Sequence, residues 1–158
     1  MLVGDIMHSD VKTASTSDSF ADVAKTMRTN GISSVVVLDG KKLAGIVTER
    51  DIVNLVAAGG DPHGTSVEHG MTRQDLVTVD SKTEVATAAE QMVSRNIRHL
   101  PVVDRDEVVG IISIRDMTRW AAEELSGGHE LPDIAGSHAA LQAASQLQRK
   151  RGADAATG

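Results

Sequence analysis

Two short stretches of the sequence place a hydroxyl and a carboxylate three residues apart, directly after an apolar run. They are Gly45-Ile46-Val47-Thr48-Glu49-Arg50-Asp51 and Gly110-Ile111-Ile112-Ser113-Ile114-Arg115-Asp116. The apolar run reads as a strand and the residues after it as a helix, so each hydroxyl falls at a helix N-terminus. Free N–H groups and the positive dipole end collect there, which suits an anion or a polar ligand oxygen. A Thr or Ser hydroxyl at that point can bond phosphate, and an Asp one turn on can accept two bonds from a ribose diol. The same spacing is also that of a capping box, which needs no ligand. Both readings stand at this level. Capping boxes favour the longer Glu or Gln, so an Asp in both copies is expected to reach back less well and to face outward.

The elements that position these residues form a repeat. Phe20 to Met27 aligns with Val85 to Met92, Gly31-Ile32 with Asn96-Ile97, and Gly45 to Asp51 with Gly110 to Asp116, all without gaps. Each half begins with a short extended lead-in, Val11 to Ala14 or Leu76 to Val79. A helix follows, and in the second half Ser81-Lys82-Thr83-Glu84 reads as its capping box. Val85, Ala88, Ala89, Met92 and Val93 form one apolar helix stripe, as do Phe20, Val23, Ala24 and Met27. Asn30-Gly31 and Arg95-Asn96 suit the left-handed conformation that ends a helix. Two apolar runs come next, split by Asp39-Gly40-Lys41-Lys42 or Asp104-Arg105-Asp106-Glu107, which predicts a hairpin in each half. The runs are continuous rather than alternating, so both sheet faces are expected to be covered. A second helix closes each half, over Glu49 to Ala58 and Ile114 to Leu125. The fold class is α/β: two β-α-β-β-α repeats packed with pseudo-twofold symmetry. Each is marginal alone, so the two are expected to share one core. The boundaries read as 1–60, a linker at 61–66, 67–125, and a tail at 126–158 whose composition suits disorder. Within that tail, Ala139 to Leu147 can form a short helix against a partner.

Composition narrows the function classes. The chain has 158 residues, a net charge of −6, no cysteine and only two aromatics, Phe20 and Trp120. Interspersed charge without a basic stripe, and the lack of stacking rings, argue against a nucleic-acid binder. Without cysteine there is no disulfide, thiolate nucleophile or cysteine metal site. His8, His63, His69, His129 and His138 make no tight metal-ligand pair, so no metal is expected. No nucleophile elbow or phosphate-binding Gly-Lys loop is present, so the chain is not expected to be an enzyme. It lacks a signal peptide or an apolar run long enough to span a membrane, which points to a cytoplasmic protein.

The duplication, the element order, the two Gly-to-Asp motifs and Asn96-Ile97-Arg98-His99-Leu100-Pro101-Val102-Val103-Asp104 together resemble a pair of CBS (cystathionine-β-synthase-type) domains, or Bateman module, over residues 1 to 125. The resemblance implies a regulatory module that binds AMP, ADP, ATP, S-adenosylmethionine or a related ligand in clefts between the halves. By match it puts Thr48 and Ser113 on phosphate, and Asp51 and Asp116 on ribose hydroxyls. Arg98 and His99 would reach phosphates as basic groups, and the chain around Thr13 and Thr78 would line the adenine. Arg50 and Arg115 follow the motif; Arg115 is a ligand candidate, beside the plainer reading of both as exposed helix surface. Arg98-His99 replaces Ser33-Ser34 of the first half, so two equivalent sites are not expected. Either the site using Asp116 or the one receiving Arg98 and His99 is favoured, and how they combine stays open. The resemblance also implies a homodimer and a separate effector protein. The alternatives are an interaction scaffold with empty clefts and, third, a small enzyme or DNA-associated regulator.

Overall fold

The computed structural model describes residues 1–125. The elements are α1 (Val3–Ile6), β1 (Thr13–Ser15), α2 (Phe20–Asn30), β2 (Ser34–Asp39), β3 (Lys42–Thr48), α3 (Glu49–Ala57), a 3₁₀ turn (Val67–His69), α4 (Val85–Ser94), β4 (His99–Asp104), β5 (Glu107–Ser113) and α5 (Ile114–Leu125). The fold is α/β and the repeat is plain in it. The tail expected at 126–158 and its helix at 139–147 lie outside the described residues.

The predicted helices and hairpins form where periodicity and turn residues place them. Ser19 caps α2 by accepting from the Asp22 N–H, and Gly31 ends it at φ 64°. Gly40 turns the first hairpin at φ 61°. The second hairpin turns through Arg105 and Asp106, both at positive φ, a two-residue turn of the twist that suits antiparallel strands. Each hairpin carries a register shift at the matching place, after Val37 and after Val102.

Two local expectations fail for identifiable reasons. The first half has a three-stranded sheet, with β1 parallel to β2, but the second has only β4 and β5. Its lead-in is reduced to one bridge, Val79 to Val102. In the first half the Val36 N–H donates to the Lys12 carbonyl. The matching residue is Pro101, which has no N–H to donate. The expected capping box at Ser81 is also absent: α4 starts at Val85, with Glu84 as an N-cap that makes no side-chain cap bond. Ser81 is engaged by Asp104 instead, through its N–H (3.0 Å) and its hydroxyl (2.6 Å).

The halves do not share one core. Ala14, Phe20, Val23, Met27, Val35, Val37 and Val47 form one cluster, and Val79, Val85, Ala88, Met92, Leu100, Val102, Ile112 and Met117 form the other. Each is completed by the segment that precedes the opposite repeat. Val3 enters the second cluster, and Val67 and Met71 enter the first. Backbone bonds fix this exchange: Val3 N–H to the Thr83 carbonyl, Val67 N–H to the Asp18 carbonyl, and reciprocal pairs joining His8 with Ile111 and Thr72 with Ile46. The exchange explains the glycine that opens each Gly-to-Asp motif. A Cβ on Gly45 would stand 2.6 Å from the Thr72 carbonyl oxygen and 2.8 Å from Met71 Sδ, and one on Gly110 would meet Met7 and the His8 carbonyl. Only glycine lets the crossing segment approach this closely.

Candidate functional site

Strand β3 ends at Thr48 and α3 begins at Glu49, so Thr48 is the N-cap and Asp51 lies one turn inside. The Thr48 N–H donates to Asp51 Oδ2 at 2.7 Å, and the Thr48 hydroxyl lies 3.2 Å from the same oxygen. Ser113 and Asp116 repeat this at 2.7 and 2.6 Å. The expectation that an Asp here would reach back poorly is therefore corrected. In the extended N-cap conformation the amide already points at the third helical residue, and the short carboxylate spans the gap with one oxygen. At Asp51 the other oxygen, Oδ1, has no hydrogen-bond partner among the described residues. Capping and ligand binding are thus compatible at this residue, one oxygen for each.

Asp51 and Thr48 open into a cleft that also collects residues of the second repeat. Its lining is Ile46, Thr48, Arg50 and Asp51 from the first Gly-to-Asp motif, Thr72, Asp75, Leu76 and Val77 from the second lead-in, and Ile97, Arg98 and His99 from the start of β4. The cleft holds about 110 Å³ of enclosed space and is otherwise open to solvent. Sequence reasoning did not settle which carboxylate accompanies Arg98 and His99. The fold places both on the lining of the Asp51 cleft, while His99, paired with Ser113 in the second hairpin, is also within reach of the Asp116 charge. Arg50 Nη1 reaches the Asn96 carbonyl at 3.5 Å, spanning the same interface. The Arg98 guanidinium has no partner among the described residues, and Arg98 is exposed.

His99 departs from its assigned role. Burial, and after it the neighbouring Arg98 guanidinium, hold its pKa at about 4, although Asp116 pulls the other way. It is a neutral imidazole at neutral pH, hydrogen-bonded through Nε2 to Ser33 Oγ at 2.8 Å. It can give or take a hydrogen bond but supplies no charge to a phosphate. Arg98 and Arg50 are the cations of the cleft.

The remaining sequence candidates lie elsewhere. Ser113 and Asp116 sit at the N-terminus of α5, outside this cleft, with Arg115 exposed beside them. Asp116 Oδ1 is bonded to His8 Nε2 at 2.8 Å. Thr13 lies on β1 and is exposed. Thr78 is exposed and does not line the cleft, whereas its neighbours Leu76 and Val77 do. Thr72, Asp75 and His8 were missed as site residues. A signal for Thr72 and His8 exists in Met7-His8 and Met71-Thr72, which match at an offset one residue shorter than the rest of the repeat and so escape a gapless alignment.

Comparison with known proteins bears on the family and the fold. The CBS domain family model matches residues 3–58 and again 66–123. The mitochondrial CBS domain-containing protein CBSX3 of Arabidopsis thaliana is 32% identical over 134 residues, which cover 77% of this chain and 65% of that protein. The uncharacterised protein MK0525 of Methanopyrus kandleri is 35% identical over 117 residues, covering 73% of this chain and 60% of its own length. The chain thus spans less than two thirds of either relative. Among solved structures, the CBS domain pair of protein MJ0100, in complex with 5′-methylthioadenosine and S-adenosyl-L-methionine, is similar with a TM-score of 0.73 and 31% identity, over 78% of this chain and 98% of that one.

Proposed function

Since the chain belongs to the CBS-domain family and carries the domain twice, we propose that it is a non-catalytic regulatory module that takes an adenine nucleotide in the cleft between Asp51 and Arg98. The observation that carries this reading is the meeting, in one cleft, of a carboxylate oxygen on Asp51 and a guanidinium on Arg98 that have no partner among the described residues. A ribose diol donates to the first, and a phosphate accepts from the second in charge-assisted bonds. Ile46, Leu76, Val77 and Ile97 supply an apolar wall for the base. The ligands of the MJ0100 pair share the adenosyl group, which supports that part of the assignment. The two arginines favour a phosphate ester such as AMP, ADP or ATP over the cationic sulfonium of S-adenosylmethionine.

Binding would favour one arrangement of the repeats, and a separate effector protein would read that shift. The working unit is a homodimer in the cytoplasm. Val53 and Val56 form an exposed apolar patch on α3 (64% and 57% accessible) that a second copy can cover. No helix among the described residues is long and apolar enough to cross a membrane.

A thermal-shift series with AMP, ADP, ATP, S-adenosylmethionine and 5′-methylthioadenosine tests the ligand class. The nucleotides are expected to raise Tm most, and Arg98→Gln to lower the nucleotide shifts while sparing that of 5′-methylthioadenosine. No shift with any of the five would favour a scaffold whose clefts stay empty.

A further inference from the structure

The two Gly-to-Asp motifs are built alike, yet among the described residues only one of their carboxylates keeps an oxygen without a partner. Asp51 spends Oδ2 on its helix cap and leaves Oδ1 without a partner among the described residues. Asp116 spends Oδ2 on Ser113, but its Oδ1 already holds His8 Nε2 at 2.8 Å. The position of His8 is not incidental. The backbone pair between His8 and Ile111 (both bonds 2.9 Å) matches the pair between Thr72 and Ile46 (2.9 and 3.1 Å). Ile46 and Ile111 are equivalent in the repeat, so His8 and Thr72 are equivalent too. Thr72 lines the open cleft and makes no bond to Asp51. The imidazole at the equivalent place reaches the second carboxylate. The Asp116 side chain is 13% accessible, whereas that of His8 is 65% accessible. The acceptor is therefore fixed and sheltered, and the donor can swing into solvent without disturbing the core.

We propose that His8 is a built-in gate on the second Gly-to-Asp motif: its imidazole occupies the Asp116 oxygen that a ribose diol would need, and the chain fills the Asp51 cleft first. This inference rests on the nucleotide reading above. A diol arriving at Asp116 must displace its ion pair with the largely exposed His8, which weakens binding there by about two- to fivefold. The gate makes the two sites unequal through one side chain, independently of the Arg98-His99 difference.

The test is a calorimetric titration with AMP of four proteins: wild type, His8→Thr, Asp51→Ala, and the variant carrying both. His8→Thr copies the residue of the open cleft at a largely exposed side chain, and circular dichroism checks that each variant is folded. The Asp51→Ala protein isolates the Asp116 motif, and there the added His8→Thr is expected to tighten AMP about two- to fivefold. In the Asp51-intact background, His8→Thr is expected to reveal a second site per chain. Equal AMP affinity for Asp51→Ala with and without His8→Thr, while the wild type binds AMP, would overturn the gate and leave the nucleotide reading standing. No AMP binding by any of the four would overturn the nucleotide reading, and the gate with it. A second measurement does not need a ligand: the His8 Nε2 nitrogen resonance is expected to move in Asp116→Asn and not in Asp51→Asn. An unmoved resonance would show the contact absent and overturn the gate by itself.

Discussion

At the scale of the residue, the site turns on how few groups each carboxylate serves. Asp51 divides its oxygens between α3 and the cleft, so its removal has two separable consequences. Asp51→Ala is expected to weaken nucleotide binding by at least tenfold, and to cost the fold about 1 kcal/mol through the lost cap. Urea unfolding followed by circular dichroism reads the second effect. His99 shows a residue whose type suggested one chemistry and whose surroundings impose another. Folded His99 stays neutral down to about pH 4, whereas the unfolded chain takes up that proton near pH 6.5. Between these values the unfolded state binds more protons, so stability falls as pH falls. His99→Gln keeps a hydrogen-bonding group beside Ser33 and removes the titration. It is expected to flatten the pH dependence of urea stability between pH 6.5 and 4, by on the order of 2–3 kcal/mol. Asp104 acts in the same direction at lower pH. The Ser81 hydroxyl and N–H hold its carboxyl below the usual range, so its contribution persists above the unfolded carboxylate value and is lost as acid protonates it.

At the scale of the element, the glycine of each motif is a packing residue set by a crossing segment from the other repeat. Gly45→Ala would push a methyl onto the Thr72 backbone. It is expected to destabilise by about 2 kcal/mol or more, and to weaken nucleotide binding because Thr72, Asp75 and Leu76 line the same cleft. Differential scanning calorimetry and titration check the two effects. The helices, hairpins and motif ends were legible in the sequence because each is written locally, in an apolar stripe, a capping hydroxyl or a turn glycine. What was not legible depends on partners distant in sequence. Ser81 has a local capping signal and is claimed by Asp104 across the sheet. The missing second lead-in strand was signalled by Pro101, but only its alignment with Val36 shows which bond is lost. The short helix α1 has four residues and no periodicity to read. Its buried Val3 belongs to a core some eighty residues away in the chain, at Val79, Val85 and Ala88.

At the scale of the whole molecule, reciprocal exchange makes the two repeats one folding unit and sets the cleft between them. Val3 and Val67 are each fully buried, one in the core of the opposite repeat and the other likewise. Val3→Ala or Val67→Ala is expected to cost about 1–3 kcal/mol, and chemical unfolding should remain a single transition, because neither core is complete without the other half. Two resolved transitions would contradict this account of the exchange. The cleft inherits its asymmetry from the same arrangement: Arg98 and a neutral His99 line it together with Asp51, while the Oδ1 of Asp116 is held by His8. The central claim is that the Asp51–Arg98 cleft takes an adenosyl ligand. Isothermal titration with AMP and 5′-methylthioadenosine of the wild-type chain beside folded Asp51→Ala tests it most directly. Saturable binding of AMP, tighter than that of 5′-methylthioadenosine and weakened at least tenfold in Asp51→Ala, is the predicted result. Binding that Asp51→Ala leaves unchanged, or no binding of either compound by folded wild-type protein, would contradict it.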